Sequence, residues 1–286
     1  MNILDDLKMQ YRSGGIALKM IYWNIGCFLG SLIFFYQYSV GQFAFPSWVA
    51  LSSDVSSLVF KPWTLLTYAF FHDGFLHIFF NMIVLNFASY LFLTFFTTKQ
   101  YLGLYFLSAI FAGLIFVLGF NLMQLSGSIV GASAAIMAIL VAATTYSPLM
   151  QVRLLLVGNV KLWHVTAVIL ILDLMQFRLG NSGGHLSHLA GAFFGFVYVK
   201  LLQNGVDLSK GVTTVFDFFA NLFRKPKTPF KKVHKNYQKP IERPVSKIVV
   251  KDKKQQQIDE ILDKISQSGY DSLNQEEKEF LFHAGK

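Results

Sequence analysis

Charge is scarce in this chain: of its 286 residues, 14% are Asp, Glu, Lys or Arg, against 53% hydrophobic side chains. A soluble domain carries about 25% charge, so most of this chain lacks the means to cover a soluble surface. Cysteine is scarcer still. Cys27 stands alone, which rules out an internal disulfide and any cysteine-based zinc cluster. It lies in an apolar run and reads as an inert packed thiol. Acidic residues are few before residue 205, where five Asp/Glu accompany nine Lys/Arg. No short apolar stretch with a small-residue cleavage site opens the chain, so the first hydrophobic span is expected to stay as an anchor.

What is present is long hydrophobic runs. A helix needs about 20 apolar residues to cross about 30 Å of hydrocarbon. Six candidates occur, near residues 20–38, 76–96, 101–121, 132–146, 161–177 and 184–203. The fourth is short and rich in alanine, so it either thins the bilayer or starts below its surface. Starting below is tolerable if the preceding stretch, Gly127 to Gly131, lines a wet cavity or is covered by protein. The loop charges set the orientation. With the N-terminus inside, inner segments hold Lys8, Arg12, Lys19, Lys99, Arg153 and Lys161, and outer loops hold Lys61 and Arg178. The expectation is an all-α membrane protein, a six-helix bundle with both termini inside. His72, Ser133 and His188 then all fall in the outer half. The stretch Gly41–Phe75 is long for a connection, and its Phe, Trp and Pro suit either an interfacial segment or a structural cap.

Residues 1–204, 205–254 and 255–286 carry net charges of +4, +9 and −4. The chain thus divides into a membrane domain (1–204), a basic linker with Pro226, Pro229, Pro240 and Pro244 (205–254), and a small helical end piece (255–286). The linker suits a solvated segment against an anionic inner leaflet. No nucleic-acid partner is expected, since no recognisable binding fold accompanies the charge. In the end piece Ile258, Ile261, Leu262 and Ile265 form a helical stripe, Gly269 is a stop, and Ser272-x-x-Gln275 fits a capping box ahead of Phe280-Leu281-Phe282. Two helices this small bury little alone; they are expected to dock on the bundle, on a partner or on a second copy.

The chemistry concentrates on few residues. His188, Gly191 and Gly195 stand at i, i+3 and i+7 on one helix face, and small residues there let two backbones approach. Ala134, Ala138 and Ala142 offer a matching face on the fourth span. Bringing the two together puts Ser133 within reach of His188. A serine hydroxyl needs a base to take its proton, and buried neutral imidazole is well matched near pH 7. A lone serine in a membrane helix ordinarily bonds its own backbone; an intramembrane histidine points to function. In the second span His72, His77 and Asn81 read H-x4-H-x3-N, with His77 and Asn81 one above the other. An imidazole N–H, an Asn amide and the Ser133 backbone N–H can serve a developing oxyanion. Asp173 lies near the outer end of the fifth span, but nothing in the sequence pairs it with His188, so a dyad is expected. Gly180–Gly184, with Asn181 and Ser182, reads as an outer loop: a turn or a lid. His185 lines the entrance or makes a packing contact.

The chain resembles the rhomboid family of intramembrane serine proteases from about Pro62 to Gly195. Pro62-Trp63-Thr64, H-x4-H-x3-N, Gly131-x-Ser133 and His188-x-x-Gly191-x3-Gly195 carry the resemblance. It implies a six-helix bundle with Ser133 as nucleophile, His188 as general base, and Asn81 and His77 as oxyanion contributors. His72 matches the first histidine of the family motif, where a structural role is implied. It further implies transmembrane substrates with helix-weakening residues, entering laterally; a bacterial inner membrane with the site towards its outer face; and an end piece like the extensions of some bacterial rhomboids. Ala134 departs from the pattern, which usually has Gly after the nucleophile. A rhomboid-like pseudoprotease that binds helices uncut is the non-enzymatic alternative, with Ala134 as its support. No cofactor is expected. His72-x4-His77 imitates a box of membrane di-iron oxygenases, but His234 and His283 fall in the tail and His164 near the inner face. A zinc site on His77, His185 and His188 would lack the H-E-x-x-H that supplies the usual base.

Overall fold

The computed structural model describes residues 2–155, 157–176, 181–222 and 253–284. The chain forms two compact units, residues 1–225 and 226–286, and it is mostly helical.

In the first unit, α1 (Ile3–Ser13) and α2 (Ile16–Phe34) lead into a connection of short pieces. These are a ribbon of β1 (Tyr36–Gln37) and β2 (Gln42–Phe43), strand β3 (Leu51–Ser52), α3 (Val55–Phe60), α4 (Thr64–Thr67) and a 3-10 turn at Tyr68–Phe70. Helices α5 (Phe75–Phe95) and α6 (Thr98–Leu122) follow, then β4 (Ser128–Ile129) and α7 (Ser133–Tyr146). An antiparallel ribbon of β5 (Gln151–Leu154) and β6 (Gly158–Lys161) leads to α8 (Leu162–Gln176), α9 (Ser182–Gln203) and α10 (Ser209–Leu222). Helices α2, α5, α6 and α9 are long and apolar enough to cross a membrane; α7 and α8, at 14 and 15 residues, are apolar but shorter. The ribbons depart from an all-helical expectation. Their strands are two to four residues long, too short to leave a period in the sequence.

Local chemistry sets the helix starts. Thr97 and Gln100 form a reciprocal capping box on α6. Asp54 accepts from Ser56 N and Ser57 N at the start of α3, at 3.1 and 3.0 Å, and the bond from the Ser56 hydroxyl leads in holding its carboxyl below the usual range.

Helix α7 is the post of the unit: every residue from Ala134 to Ala143 is buried. The stretch before it is covered by protein. Strand β4 pairs with β3, Leu51 facing Ile129. Ser53 N–H donates to Gly127 O at 2.9 Å, and Gly131 N–H donates to Tyr68 O at 2.9 Å. Tyr68 Oη and Tyr105 Oη donate to Ala109 O and Ala69 O, tying the 3-10 turn to α6. Much of the backbone ahead of Ser133 thus finds protein partners, as apolar surroundings require.

Two boundaries differ from the sequence reading. Residues 209–222, expected within the linker, are helix, with Ser209 packed against Gly103 of α6. The cause lies in Val212, Val215, Phe218 and Phe219, which recur at helical spacing inside a charged composition. Ser182 to Gly184, expected in a loop, begin α9: Asn181 accepts from Gly184 N, and Gly183 is buried against Phe116. A lid at these positions is thereby set aside. Gly180, Arg178, His234 and the four linker prolines lie outside the described residues.

In the second unit, α11 (Lys253–Ser268) turns at Gly269, whose φ is +79°, through a 3-10 turn to α12 (Gln275–Ala284). The capping box sits two residues later than expected. Glu277 N donates to Asn274 Oδ1 and Asn274 N to Glu277 Oε2, both at 2.8 Å. Ser272 instead donates to Gly269 O. Ile261 is buried, while Leu262, counted in the apolar stripe, is half-exposed. Lys264 bonds both oxygens of Glu277 and leads in holding that carboxyl below the usual range.

Candidate active site

Ser133 is the first residue of α7. At that position its N–H has no intrahelical partner, and the helix end carries partial positive charge. The preceding Gly131 has φ +139°, a conformation that disfavours a side chain. A Cβ there would stand 3.0 Å from His77 Nε2 and 3.4 Å from Ser133 Oγ, so glycine lets the two side chains close over the backbone.

Helix α9 approaches α7 at its small residues. A Cβ on Gly191 would overlap the Ala134 backbone, and one on Gly195 would overlap that of Ala138. This contact seats His188 over Ser133, with Nε2 2.5 Å from Oγ. The Ala134 methyl, where the family pattern has glycine, packs with Ala112 of α6 and Ala190 of α9, beside Phe111 and Ile115. Gly191 meets the carbonyl group and Cα of Ala134 rather than its side chain.

The other face of His188 corrects the sequence reading. Its Nδ1 lies 2.7 Å from Asp173 Oδ1, so a carboxylate does pair with the histidine. The same oxygen lies 2.7 Å from Nδ1 of His185. His185 and His188 stand at i and i+3 on α9, and the last turn of α8 carries Asp173 between them. Pairs separated by 12 and 15 residues across a helix connection leave no spacing signal in the chain.

Asn81 uses one amide hydrogen on His77 O at 2.8 Å; its second remains for another acceptor. Both Asn81 and Ser133 line a cavity of about 360 Å³ between α5 and α8, together with Asp173, His185 and His188. His77 Nδ1 is hydrogen-bonded to Asp73. A neutral His77 that gives Nδ1–H to Asp73 has no hydrogen on Nε2, so it donates towards Gly131 and Ser133 only as imidazolium. The His77 bond outweighs burial and holds the Asp73 carboxyl below its usual range. His72 is fully buried edge-on to His77 and does not reach the cavity. Burial first, and His77 second, push its imidazole down to about 3, so it is neutral at ordinary pH.

Among the described residues one group offers three ligating atoms within 4.8 Å of one another: Asp173, His185 and His188. Both Nδ1 atoms already face the carboxylate in hydrogen bonds, so a cation would have to displace both. His77, named with His185 and His188 in the zinc alternative, is not in this group.

Sequence comparison adds two matches. Residues 249–283 match a family of unknown function (DUF6576). No curated protein matches the chain. Residues 59–204 match the model of the Rhomboid domain, half of the chain and all the elements from α4 to α9 that build the cavity. With its several apolar helices, the chain belongs to the rhomboid family of integral membrane proteins.

Proposed function

We propose that this protein is an intramembrane serine endopeptidase that cleaves transmembrane helices of other membrane proteins. The observation that carries the reading is the 2.5 Å approach of Ser133 Oγ to His188 Nε2 at a cavity among apolar helices. Ser133 Oγ attacks the scissile carbonyl as its proton passes to His188 Nε2. The Ser133 N–H and Asn81 donate to the oxyanion, and His77 adds an N–H when both of its ring nitrogens carry hydrogen. The imidazolium returns its proton to the leaving amine, and water then repeats the sequence on the acyl-enzyme. Gly131, Gly191 and Gly195 hold the approach distances, and His72 packs the α5 entrance.

The substrate unwinds locally to present its carbonyl, because a helix in lipid hides every amide. The space between α5 and α8 suits lateral entrance of such a segment. Six spans with both termini inside follow the Lys/Arg distribution and set the serine towards the outer face of a bacterial inner membrane. Helices α7 and α8 then count as spans despite their length. The chain is organised as a membrane domain, a basic connector against the inner leaflet, and an end piece that docks on a partner or a second copy.

Labelling of the membrane-reconstituted protein by a fluorophosphonate probe tests the reading. Labelling is expected in the wild type and lost in Ser133→Ala and His188→Ala. A protein that stays unlabelled where another rhomboid is labelled is a helix-binding pseudoprotease. Labelling that survives Ser133→Ala assigns the nucleophile elsewhere.

A further inference from the structure

We infer that Asp173 is a positioning residue for His188, secured by His185, so that the serine works through a Ser133–His188–Asp173 relay of hydrogen bonds rather than through a dyad. The inference rests on the proposed protease reading and extends it.

The geometry is specific. Asp173 is 8% exposed, and its Oδ1 stands 2.7 Å from Nδ1 of both His185 and His188. An ionised carboxylate only accepts, so each histidine places its hydrogen on Nδ1. For His188 this leaves Nε2 bare, 2.5 Å from the Ser133 hydroxyl. That is the tautomer a general base requires, and the opposite tautomer would present an N–H to the serine and accept nothing. When the Ser133 proton arrives, the imidazolium faces a carboxylate across an apolar cavity wall that includes Ile136, Met137 and Leu172. Opposite charges attract more strongly there than in water.

His185 explains how a carboxylate persists in such a place. A single neutral hydrogen bond leaves a buried charge poorly compensated. The second Nδ1–H, from one turn earlier on the same helix, supplies another donor to the same oxygen and fixes the carboxylate over both rings. Among the described residues Oδ2 has no partner, and the two Nδ1 bonds are the ones that orient the carboxylate. Among the described residues the groups facing the trio are few. Helix α7 contributes Ser133, α8 contributes Gln176, and α5 contributes Asn81, with the His77–Asp73 pair beyond Gly131. Among the described residues no lysine or arginine lines the cavity, and Asp173, 2.7 Å away, is the carboxylate that His188 faces.

The test is the rate of Ser133 phosphonylation by the fluorophosphonate, measured against pH in the full reconstituted chain. In that step the Oγ–P bond forms, fluoride leaves, and the hydroxyl proton passes to His188. Asp173→Asn is expected to slow labelling by about 10²–10⁴-fold, because the amide can donate to Nδ1 and turn the imidazole to the wrong tautomer. It should also move the midpoint of the pH profile down, since a carboxylate favours the charged ring. Asp173→Glu keeps the charge and is expected to hold the wild-type midpoint at a reduced rate. His185→Leu should give a smaller loss in rate with the same direction of shift.

Labelling of Asp173→Asn at the wild-type rate and midpoint, with Ser133 still the labelled residue, overturns the inference and leaves the protease reading standing. A slowed rate with an unmoved midpoint in Asp173→Asn also overturns it, since that is what loosened packing alone would give. A wild-type protein that never labels removes the protease reading and this inference with it. Should Asp173→Asn fail to fold, a midpoint displaced in Asp173→Glu as well would overturn the role assigned to the charge.

Discussion

Gly191→Ala tests the contact that seats the histidine. The new Cβ would lie 2.8 Å from the carbonyl carbon of Ala134 and 3.2 Å from its Cα, and closer still to the carbonyl oxygen. Carbon atoms rest at about 3.5–4.0 Å, and the atoms met are backbone, which cannot rotate aside. The helices must therefore part by about 1 Å. Ser133 is the neighbour of Ala134, and His188 lies one turn from Gly191, so their separation would grow from 2.5 Å to about 3.5 Å, outside hydrogen-bond range. Overpacking costs about 1–3 kcal/mol, while replacing a helical glycine by alanine returns about 1, for a net loss of about 0–2 kcal/mol. The effect on chemistry is larger, because a misplacement of about 1 Å lowers rate about 10²-fold. Thermal unfolding in bicelles and fluorophosphonate labelling on the same preparation should thus diverge: a small shift in Tm and a large fall in rate. Ala134→Gly added to this variant should not restore the rate, because the clash is with the carbonyl group and not the methyl. Labelling of Gly191→Ala at a rate close to wild type would refute the packing argument, and rescue by Ala134→Gly would refute its detail.

Ala134→Gly alone removes a buried methyl and a good helix former, so unfolding should show a loss of about 1–2 kcal/mol with labelling close to wild type. Gly131→Ala puts a side chain at φ +139° against His77 Nε2; strain of about 1–3 kcal/mol should lower both the Tm and the labelling rate. His72, with its pKa depressed to about 3, gives a pH dependence of definite sign. Below the ordinary histidine range the unfolded chain takes up a proton that the folded one refuses, so stability falls as pH falls. At pH 4 the loss should be on the order of 3 kcal/mol, and Tm measured against pH should flatten in His72→Leu. Asn274→Ala should cost the second unit about 1 kcal/mol of helix stability, visible as faster hydrogen exchange at the start of α12.

Glycines three and seven residues after His188 on α9 and alanine at every fourth residue on α7 were enough to indicate which faces meet, because close backbone approach leaves room for little else. The apolar helices were legible for the same elementary reason, their composition. Asp173 was not. Its helix is apolar on every side, so no period says which way one carboxylate points, and its partners belong to the next helix. The capping box of α12 was misplaced because Ser272 and Asn274 both suit an N-cap, and the choice turns on how the chain leaves Gly269. The short ribbons and the ties from Ser53 and Tyr68 to the loop before Ser133 are backbone bonds, which side-chain patterns do not announce.

Helix α7 is buried from Ala134 to Ala143 and rises about 21 Å, less than the about 30 Å of a bilayer's hydrocarbon. Such a segment gains little by entering lipid by itself. Its exposed ends would leave peptide groups bare, and its alanines offer modest burial. It becomes stable once α5, α6 and α9 stand around it and β3 has taken up the strand before it. On the protease reading proposed above, a chain made only as far as α7 carries the serine without α9, the helix that brings the histidine.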